Sequence, residues 1–194
     1  MKKLIGVNKV KTAVFISGNG SNFKNLIRFS LLKNSPIRIE CVISNNKNSN
    51  GLKYAYKTNI KKKIYNFNNR KNIDRSILLF LKKEKIKLIC LAGFMKILSK
   101  NFIKRFNGKI INIHPSLLPK YKGLDTHQKA INNKDKYSGC TVHFVNSRLD
   151  SGKIILQKKI RILKKDNQKT LAQRILKQEH ILYPKAITKI IASL

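Results

Sequence analysis

Short apolar runs rich in β-branched residues alternate along the chain with longer stretches in which apolar residues recur every three or four positions. The first pattern is typical of buried strands and the second of helices with one apolar face. Strands are predicted over residues 12–16, 37–43, 63–65, 88–92 and 109–113. Helices are predicted over residues 22–32, 52–57, 72–83, 98–106 and 168–191. This alternation predicts βαβ units around a largely parallel sheet.

Two later apolar runs follow each other without a helical stretch between them. Residues 141–145 and 153–160 alternate apolar and polar positions around a polar segment at 147–152, as neighbouring antiparallel strands at a sheet edge do. No internal repeat, linker or domain boundary interrupts the pattern. We therefore predict one doubly wound, Rossmann-like α/β domain over residues 1–194, mostly parallel, with antiparallel edge strands towards the C-terminus.

The composition is strongly basic, with 43 lysines and arginines against 8 aspartates and glutamates and a net charge of +35 in 194 residues. Lysines recur in nearly every segment from Lys2 to Lys189, so the charge is a bias of the whole chain and not a local patch. No RNP-type aromatic motif or zinc-finger spacing accompanies it. We expect no specific nucleic-acid partner, only salt-sensitive adhesion to polyanions and attraction of small anionic substrates.

Signs of export, membrane insertion and disulfide bonding are absent from the sequence. No run approaches the about 20 apolar residues of a membrane helix, and Asn8 and Lys9 interrupt the short apolar stretch near the N-terminus. Cys41, Cys90 and Cys140 form an odd, widely spaced set without a C-x-x-C pair, which favours buried thiols over a metal or redox site. A cytoplasmic protein without a membrane partner or a bound metal is predicted.

The segment Ser-Gly-Asn-Gly-Ser-Asn at residues 17–22 lies between the first predicted strand and the first predicted helix. Glycines let a backbone approach a ligand closely, and a helix N-terminus offers free N–H groups to an anion, so the segment favours a phosphate. Neither the dinucleotide-binding nor the P-loop pattern is present. A turn that only caps the helix is the competing interpretation.

Asn112 and His114 lie at the end of the fifth predicted strand, which Pro115 terminates. Being two residues apart, their side chains project to the same face of the sheet. The carboxyl edge of a parallel sheet is where such folds bind ligands. An amide N–H stabilises an oxyanion and an imidazole moves a proton, so the pair suits acyl transfer. A histidine that only bonds a carbonyl is the alternative.

Asp150 is one of few carboxylates in the chain and lies in a Leu-Asp-Ser-Gly turn between the two late strands. An ordinary turn residue explains it equally well. If Asp150 approaches His114, its charge is expected to raise the pKa of the imidazole and give a general acid near neutral pH. His127, His143 and His180 are weaker candidates, because no other metal-ligating residues lie at a suitable spacing from them.

Four motifs in order resemble the glycinamide ribonucleotide formyltransferase family of purine biosynthesis. They are ISGNGSN at 16–22, LAGFMKIL at 91–98, NIHPSLLPKYKG at 112–123, and VHFV with LDSG within 142–152. The resemblance spans nearly the whole chain. It implies an enzyme that transfers a formyl group from 10-formyltetrahydrofolate to the amine of N1-(5-phosphoribosyl)glycinamide, without a metal, and a monomer or weak homodimer.

The same resemblance implies roles for individual residues. The implied catalytic residues are Asn112, His114 and Asp150. The implied contacts to the phosphorylated amine are Gly20, Ser21 and Asn22 at the phosphate and Glu179 at the ribonucleotide. The implied contacts to the reduced folate are Arg70, Met95, Lys96, Ile97, Leu98 and Asn112. Asp125 stands where the family often has histidine, and Ser151 where it has a second glycine.

Several alternatives remain open. A formyltransferase that acts on another amine, such as methionyl-tRNA, and a formyltetrahydrofolate hydrolase both resemble this chain around Asn112, His114 and Asp150. The first usually carries an extra C-terminal domain and the second an N-terminal regulatory domain, and a chain of 194 residues is expected to have room for neither. A basic nucleic-acid-binding module without catalysis is the alternative from another class.

Overall fold

The computed structural model describes residues 9–67 and 70–193, except for the side chains of residues 70 and 71. In this part of the chain one sheet has the strand order β3-β2-β1-β4-β5-β6-β7. Its strands are β1 (Val10–Ile16), β2 (Ile37–Ser44), β3 (Lys61–Ile64), β4 (Leu88–Leu91), β5 (Lys109–His114), β6 (Tyr137–Phe144) and β7 (Ile154–Arg161). The first five strands are parallel, and β6 and β7 are antiparallel. The predicted doubly wound α/β fold is confirmed.

Helices cover both faces of the sheet. They are α1 (Ser21–Leu31), α2 (Lys53–Tyr56), which follows a 3-10 turn at Asn50–Leu52, α3 (Arg70–Lys83), α4 (Lys100–Arg105), α5 (Thr126–Asn132) and α6 (Gln168–Ala192). Helices α1 and α6 pack on one apolar cluster of the sheet, and α3 and α4 pack on the other. None of the described helices is long and apolar enough to cross a membrane.

The central strands are apolar because both of their faces are covered. Every residue of β4 is buried, and so are residues 12–16 of β1. Burying a Val, Leu or Ile side chain contributes about 1.5–3 kcal/mol each, so these strands anchor the fold. The edge strand β3 instead carries Lys61, Lys62 and Lys63, which discourages pairing with another chain.

Two elements differ from the prediction. The sequence pattern predicts no helix at α5, because this helix is short and buries only Thr126 and Ala130. Strand β6 begins at Tyr137 and not at residue 141. Gly139 interrupts the apolar pattern there, yet it is required for packing, since a Cβ at this position would lie 2.0 Å from the carbonyl oxygen of Lys158 in β7.

The strand order places the ligand-binding edge. The chain runs from β1 outwards to β2 and β3 and then returns to β4 and β5 on the other side of β1. Ligands of such sheets bind outside the carboxyl ends at this reversal. The segments that follow β1, β4 and β5 therefore open towards one site.

Helix α6 locks two of these strands together. It begins with a capping box formed by Asn167 and Thr170. Further along, the Tyr183 hydroxyl lies 2.9 Å from the carbonyl oxygen of Leu91 and 3.2 Å from that of Ile111. Because residues four positions apart share a helix face, the same face of α6 presents Glu179 to the site.

Candidate functional site

The segment between β1 and α1 forms an open cradle of backbone groups. Gly20 has φ +67°, and a Cβ there would lie 2.6 Å from the Cα of Gly51, so only glycine fits this crossing of two backbones. Helix α1 has no side-chain cap. The N–H groups of its first turn, at Ser21 and Asn22, are therefore available to an anion, which the helix dipole also favours.

Neighbouring side chains hold this cradle in shape. Ser49 Oγ donates to the carbonyl oxygen of Gly18 over 2.6 Å, and the Gly51 N–H donates to the same oxygen over 3.0 Å. Asn50 Nδ2 donates to Asn19 Oδ1 over 3.2 Å. The loop is thus built before any ligand arrives, which lowers the entropic cost of binding.

Asn22 and Glu179 form a buried polar pair beside the cradle. Asn22 Nδ2 donates to Glu179 Oε2 over 2.6 Å, while Asn22 Oδ1 is buried without a hydrogen-bond partner in the protein. Burial raises the pKa of Glu179, and the hydrogen bond from Asn22 opposes that shift. Because an unpaired buried acceptor is costly, Asn22 Oδ1 is suited to a hydroxyl donor of a bound sugar.

The segment after β4 lines the other side of the same space. A cavity of about 230 Å³ is bounded by residues 17–22 on one side and by Ala92, Gly93 and Met95 on the other. Met95 and Ile97 are 64% and 58% exposed, and Lys96 is exposed as well.

Two other predicted folate contacts do not expose a described side chain to this space. The side chain of Leu98 is buried in the core. The side chain of Arg70 lies outside the described residues.

Asn112 and His114 project from the same face of β5, at its carboxyl end. Asn112 Nδ2 lies 3.3 Å from His143 Nε2, on the adjacent strand β6. His143 Nδ1 lies 2.8 Å from the carbonyl oxygen of Phe144 and donates to it. In the neutral imidazole, His143 Nε2 therefore accepts a hydrogen bond from Asn112, which fixes the direction of the amide.

Asp150 reaches back over the sheet to these imidazoles. Its backbone has φ +43°, and its Oδ2 accepts a hydrogen bond from the Gly123 N–H over 2.8 Å. The same oxygen lies 3.4 Å from His114 Nδ1, and Oδ1 lies 3.6 Å from His143 Nε2. The structure thus brings together the three residues that the sequence singled out, and it places the carboxylate between two imidazoles.

From the sequence alone, His143 is a weaker candidate, because no other metal-ligating residues lie at a suitable spacing from it. The register of β5 and β6 pairs it directly with Asn112, and its ring is 2% exposed. Periodicity predicts that a residue lies on a strand face, but it does not predict which residue of the partner strand stands opposite. The missing signal was therefore the register.

Burial dominates the titration of His114. It lowers the pKa of the imidazole below its ordinary value of 6.5, against the opposing effects of the hydrogen bond to the Tyr121 carbonyl oxygen and of the charge of Asp150. The charge of Asp150 does raise the pKa of His114, as expected, but the net shift is downwards, so the expectation of a general acid near neutral pH is wrong. Desolvation outweighs one carboxylate that the two imidazoles share.

Asp150 itself remains ionised. Burial alone would raise the pKa of its carboxyl group, but the nearby His143, the hydrogen bond from the Gly123 amide and the nearby His114 lower it overall. At neutral pH the site therefore pairs an anionic carboxylate with a neutral His114.

The described residues offer neither a metal site nor a reactive thiol beside this arrangement. Within residues 9–67 and 70–193, no cluster of three or more histidine, cysteine, aspartate or glutamate side chains is placed to hold a metal ion. Burial raises the pKa of Cys41, Cys90 and Cys140 to about 12. These thiols are packed as apolar groups and stay protonated.

Comparison with known proteins adds an independent finding. Residues 10–187 match the family model described as formyl transferase. The chain is 44% identical over 180 residues to the phosphoribosylglycinamide formyltransferase of Haemophilus influenzae, covering 91% of this chain and 85% of that protein. It is 42% identical over 182 residues to the human trifunctional purine biosynthetic protein adenosine-3, covering 92% of this chain. It spans only 18% of the length of that trifunctional protein.

The fold agrees with the sequence match. The crystal structure of phosphoribosylglycinamide formyltransferase from Brucella melitensis superposes with a TM-score of 0.90 at 40% sequence identity. The superposition covers 96% of this chain and 98% of that one.

Proposed function

The chain belongs to the formyl transferase family, and from that premise we propose that it transfers a formyl group from 10-formyltetrahydrofolate to the amine of N1-(5-phosphoribosyl)glycinamide. The product is formylglycinamide ribonucleotide. The observation that carries the proposal is the convergence of Asn112, His114 and Asp150 at the sheet edge where the segments after β1 and β4 also line one cavity.

The proposed acceptor site is the cradle after β1. Backbone N–H groups of Gly20, Ser21 and Asn22 bind the phosphate at the N-terminus of α1. Asn22 Oδ1 and the carboxyl group of Glu179 accept hydrogen bonds from ribose hydroxyls. This arrangement favours a small phosphorylated amine over an unphosphorylated one.

The proposed donor site is the segment after β4. Met95 and Ile97 expose apolar side chains that are able to cover a flat ring. Residues 92–98 form neither helix nor strand, so those of their peptide groups that do not bond to Phe15 or Ser17 are able to pair with a heterocycle. Lys96, Leu98 through its backbone, Arg70 and Asn112 complete the proposed contacts to the reduced folate.

The proposed reaction is a direct transfer. The amine nitrogen forms a bond to the formyl carbon, the bond from that carbon to the folate nitrogen breaks, and one proton passes from the amine to the departing nitrogen. Asn112 Nδ2 donates to the tetrahedral oxyanion. His114, neutral at rest, takes this proton from the amine as charge develops and passes it to the departing nitrogen, and Asp150, at 3.4 Å from Nδ1, stabilises the transient imidazolium.

Two physical effects account for the rate. Holding the amine and the formyl carbon in line is worth up to about 7–11 kcal/mol in model reactions. The ion pair between His114 and Asp150 exists only once the imidazole is protonated, so it stabilises the transition state more than the ground state. Differential stabilisation of this kind raises kcat and not only affinity.

The test is a steady-state assay of the purified protein with 10-formyltetrahydrofolate and three acceptors: N1-(5-phosphoribosyl)glycinamide, methionyl-tRNA, and water alone. We expect formylation of the first, with one tetrahydrofolate released per product. Formylation of methionyl-tRNA or hydrolysis of the donor as the fastest reaction would replace the proposal with one of those activities. Salt-resistant binding of RNA or DNA without any transfer would indicate a nucleic-acid-binding module.

A further inference from the structure

Ser17 follows β1 directly and uses each of its polar groups to join two other segments. Its N–H donates to the carbonyl oxygen of Gly93 over 3.1 Å, and its carbonyl oxygen accepts from Asn46 Nδ2 over 3.4 Å. Its hydroxyl donates to Asn45 Oδ1 over 2.5 Å and accepts from the Met95 N–H over 2.7 Å. The segments after β1, β2 and β4 therefore meet at one side chain.

The donor segment depends on these bonds for its position. Residues 92–98 form neither helix nor strand, so no regular ladder orients their peptide groups. Gly93 adopts φ +72°, which turns the chain away from β4. The Met95 amide, on an exposed stretch of chain, is oriented by the Ser17 hydroxyl, and Asn45 fixes the direction of that hydroxyl by accepting its proton.

Ser17 also begins the acceptor cradle. It lies next to Gly18, whose carbonyl oxygen is held by Ser49, and it lines the same cavity as Met95. A displacement of the segment after β4 is therefore transmitted to the loop after β1 through one side chain.

We propose that Ser17 is a positioning residue that holds the donor segment in the arrangement that binds the folate, through its hydrogen bonds to the backbone of Gly93 and Met95. This inference rests on the proposed function. It assigns a role to a side chain that does not itself touch the reacting atoms.

Ser49 offers a matched control. Its hydroxyl also supports the cradle, by donating to the Gly18 carbonyl oxygen over 2.6 Å, and it too is a serine that lies off the strands. No hydrogen bond of the described residues joins Ser49 to residues 93–98. Its loss is therefore expected to disturb the acceptor side only.

The experiment compares Ser17→Ala, Ser17→Thr and Ser49→Ala with the wild-type protein. Losing one hydrogen bond of this kind changes an equilibrium by about 10-fold. Ser17→Ala is expected to raise KM for 10-formyltetrahydrofolate about 10-fold and to leave kcat nearly unchanged. Ser17→Thr keeps the hydroxyl and restores the wild-type KM. Ser49→Ala raises KM for the phosphorylated amine and leaves KM for the donor unchanged.

Amide hydrogen exchange gives a readout that does not depend on activity. The Met95 N–H is expected to exchange about 10-fold faster in Ser17→Ala and at the wild-type rate in Ser49→Ala. Should Ser17→Ala fail to fold, Asn45→Ala frees the same hydroxyl and is expected to shift KM for the donor in the same direction.

The outcomes separate the two proposals. If the wild-type protein does not formylate N1-(5-phosphoribosyl)glycinamide, the proposed function is wrong, while hydrogen exchange at the Met95 amide still tests the bond to Ser17. An active wild type whose Ser17→Ala variant keeps its KM for the donor and its Met95 exchange rate overturns the inference alone.

Discussion

Asp150 lies between two imidazoles, and its two carboxylate oxygens face His114 and His143. Asp150→Asn keeps the shape and removes the charge, so the imidazolium that forms during transfer loses its counter-ion. We expect kcat to fall at least about 100-fold and the midpoint of thermal unfolding to change little. Glu84→Gln, which breaks an ion pair with Lys61, removes a carboxylate elsewhere and is expected to leave kcat unchanged. Loss of activity in both variants would point to a general effect of charge.

The pKa of His114 sets the acid limb of the pH profile. The proposed mechanism needs this imidazole neutral at rest, and burial lowers its pKa below 6.5. Activity is therefore present at neutral pH and is lost as pH falls through a value below 6.5. The charge of Asp150 opposes that lowering, so Asp150→Asn is expected to move the residual acid limb to still lower pH. NMR titration of the His114 ring checks the direction, and a shift to higher pH would contradict it.

At the scale of elements, the crossing of the loop after β1 with the 3-10 turn at Asn50–Leu52 admits no side chain. A methyl group on Gly20 would meet the Cα of Gly51 at 2.6 Å, at a positive φ. Gly20→Ala is expected to cost about 1–3 kcal/mol of unfolding free energy and to raise KM for the phosphorylated amine. Gly18→Ala adds the same methyl group where no atom lies within 4 Å, so chemical denaturation is expected to show a much smaller loss.

The helices and strands also show which features of the fold a sequence pattern predicts. Apolar periodicity predicted the strands around β1 and β4 because these strands are buried on both faces. It missed α5, which has too few apolar positions to show a period, and it placed the start of β6 too late because Gly139 is required by the backbone of β7. These misses depend on contacts between distant segments, which a local pattern does not contain.

The candidate site likewise has features that the sequence predicts and features that only the folded chain shows. Asn112 and His114 were recognised as a pair because two residues of one strand end necessarily share a face. That Asp150 approaches them followed only from a resemblance, since its turn is ordinary in the sequence. The net direction of the His114 pKa and the place of His143 opposite Asn112 required the burial and the register of the folded chain.

The whole molecule contains 8 acidic and 43 basic residues. Glu40, Glu84, Asp135 and Asp166 pair with lysine or arginine. Asp150 and Glu179 instead lie buried at the candidate site, with histidine and asparagine as partners. Of the remaining two acids, Asp74 accepts a hydrogen bond from Ser99 and Asp125 precedes α5. Asp150 and Glu179 are the two that the proposed function uses.

The net charge of +35 predicts a dependence on salt. Like charges destabilise the compact state and attract anionic substrates, and both effects are screened beyond about 10 Å at 0.1 M salt. Raising the salt concentration is therefore expected to raise the midpoint of thermal unfolding and also KM for the phosphorylated amine. A KM that does not change with salt would show that the field of the molecule does not steer this substrate.

The proposed mechanism requires an amide, an imidazole and a carboxylate to act together on one formyl carbon. The most direct test is the rate of formylglycinamide ribonucleotide formation by His114→Ala with both substrates saturating. We expect a rate at least about 100-fold below that of the wild type with the thermal unfolding midpoint preserved. A rate close to that of the wild type would contradict it.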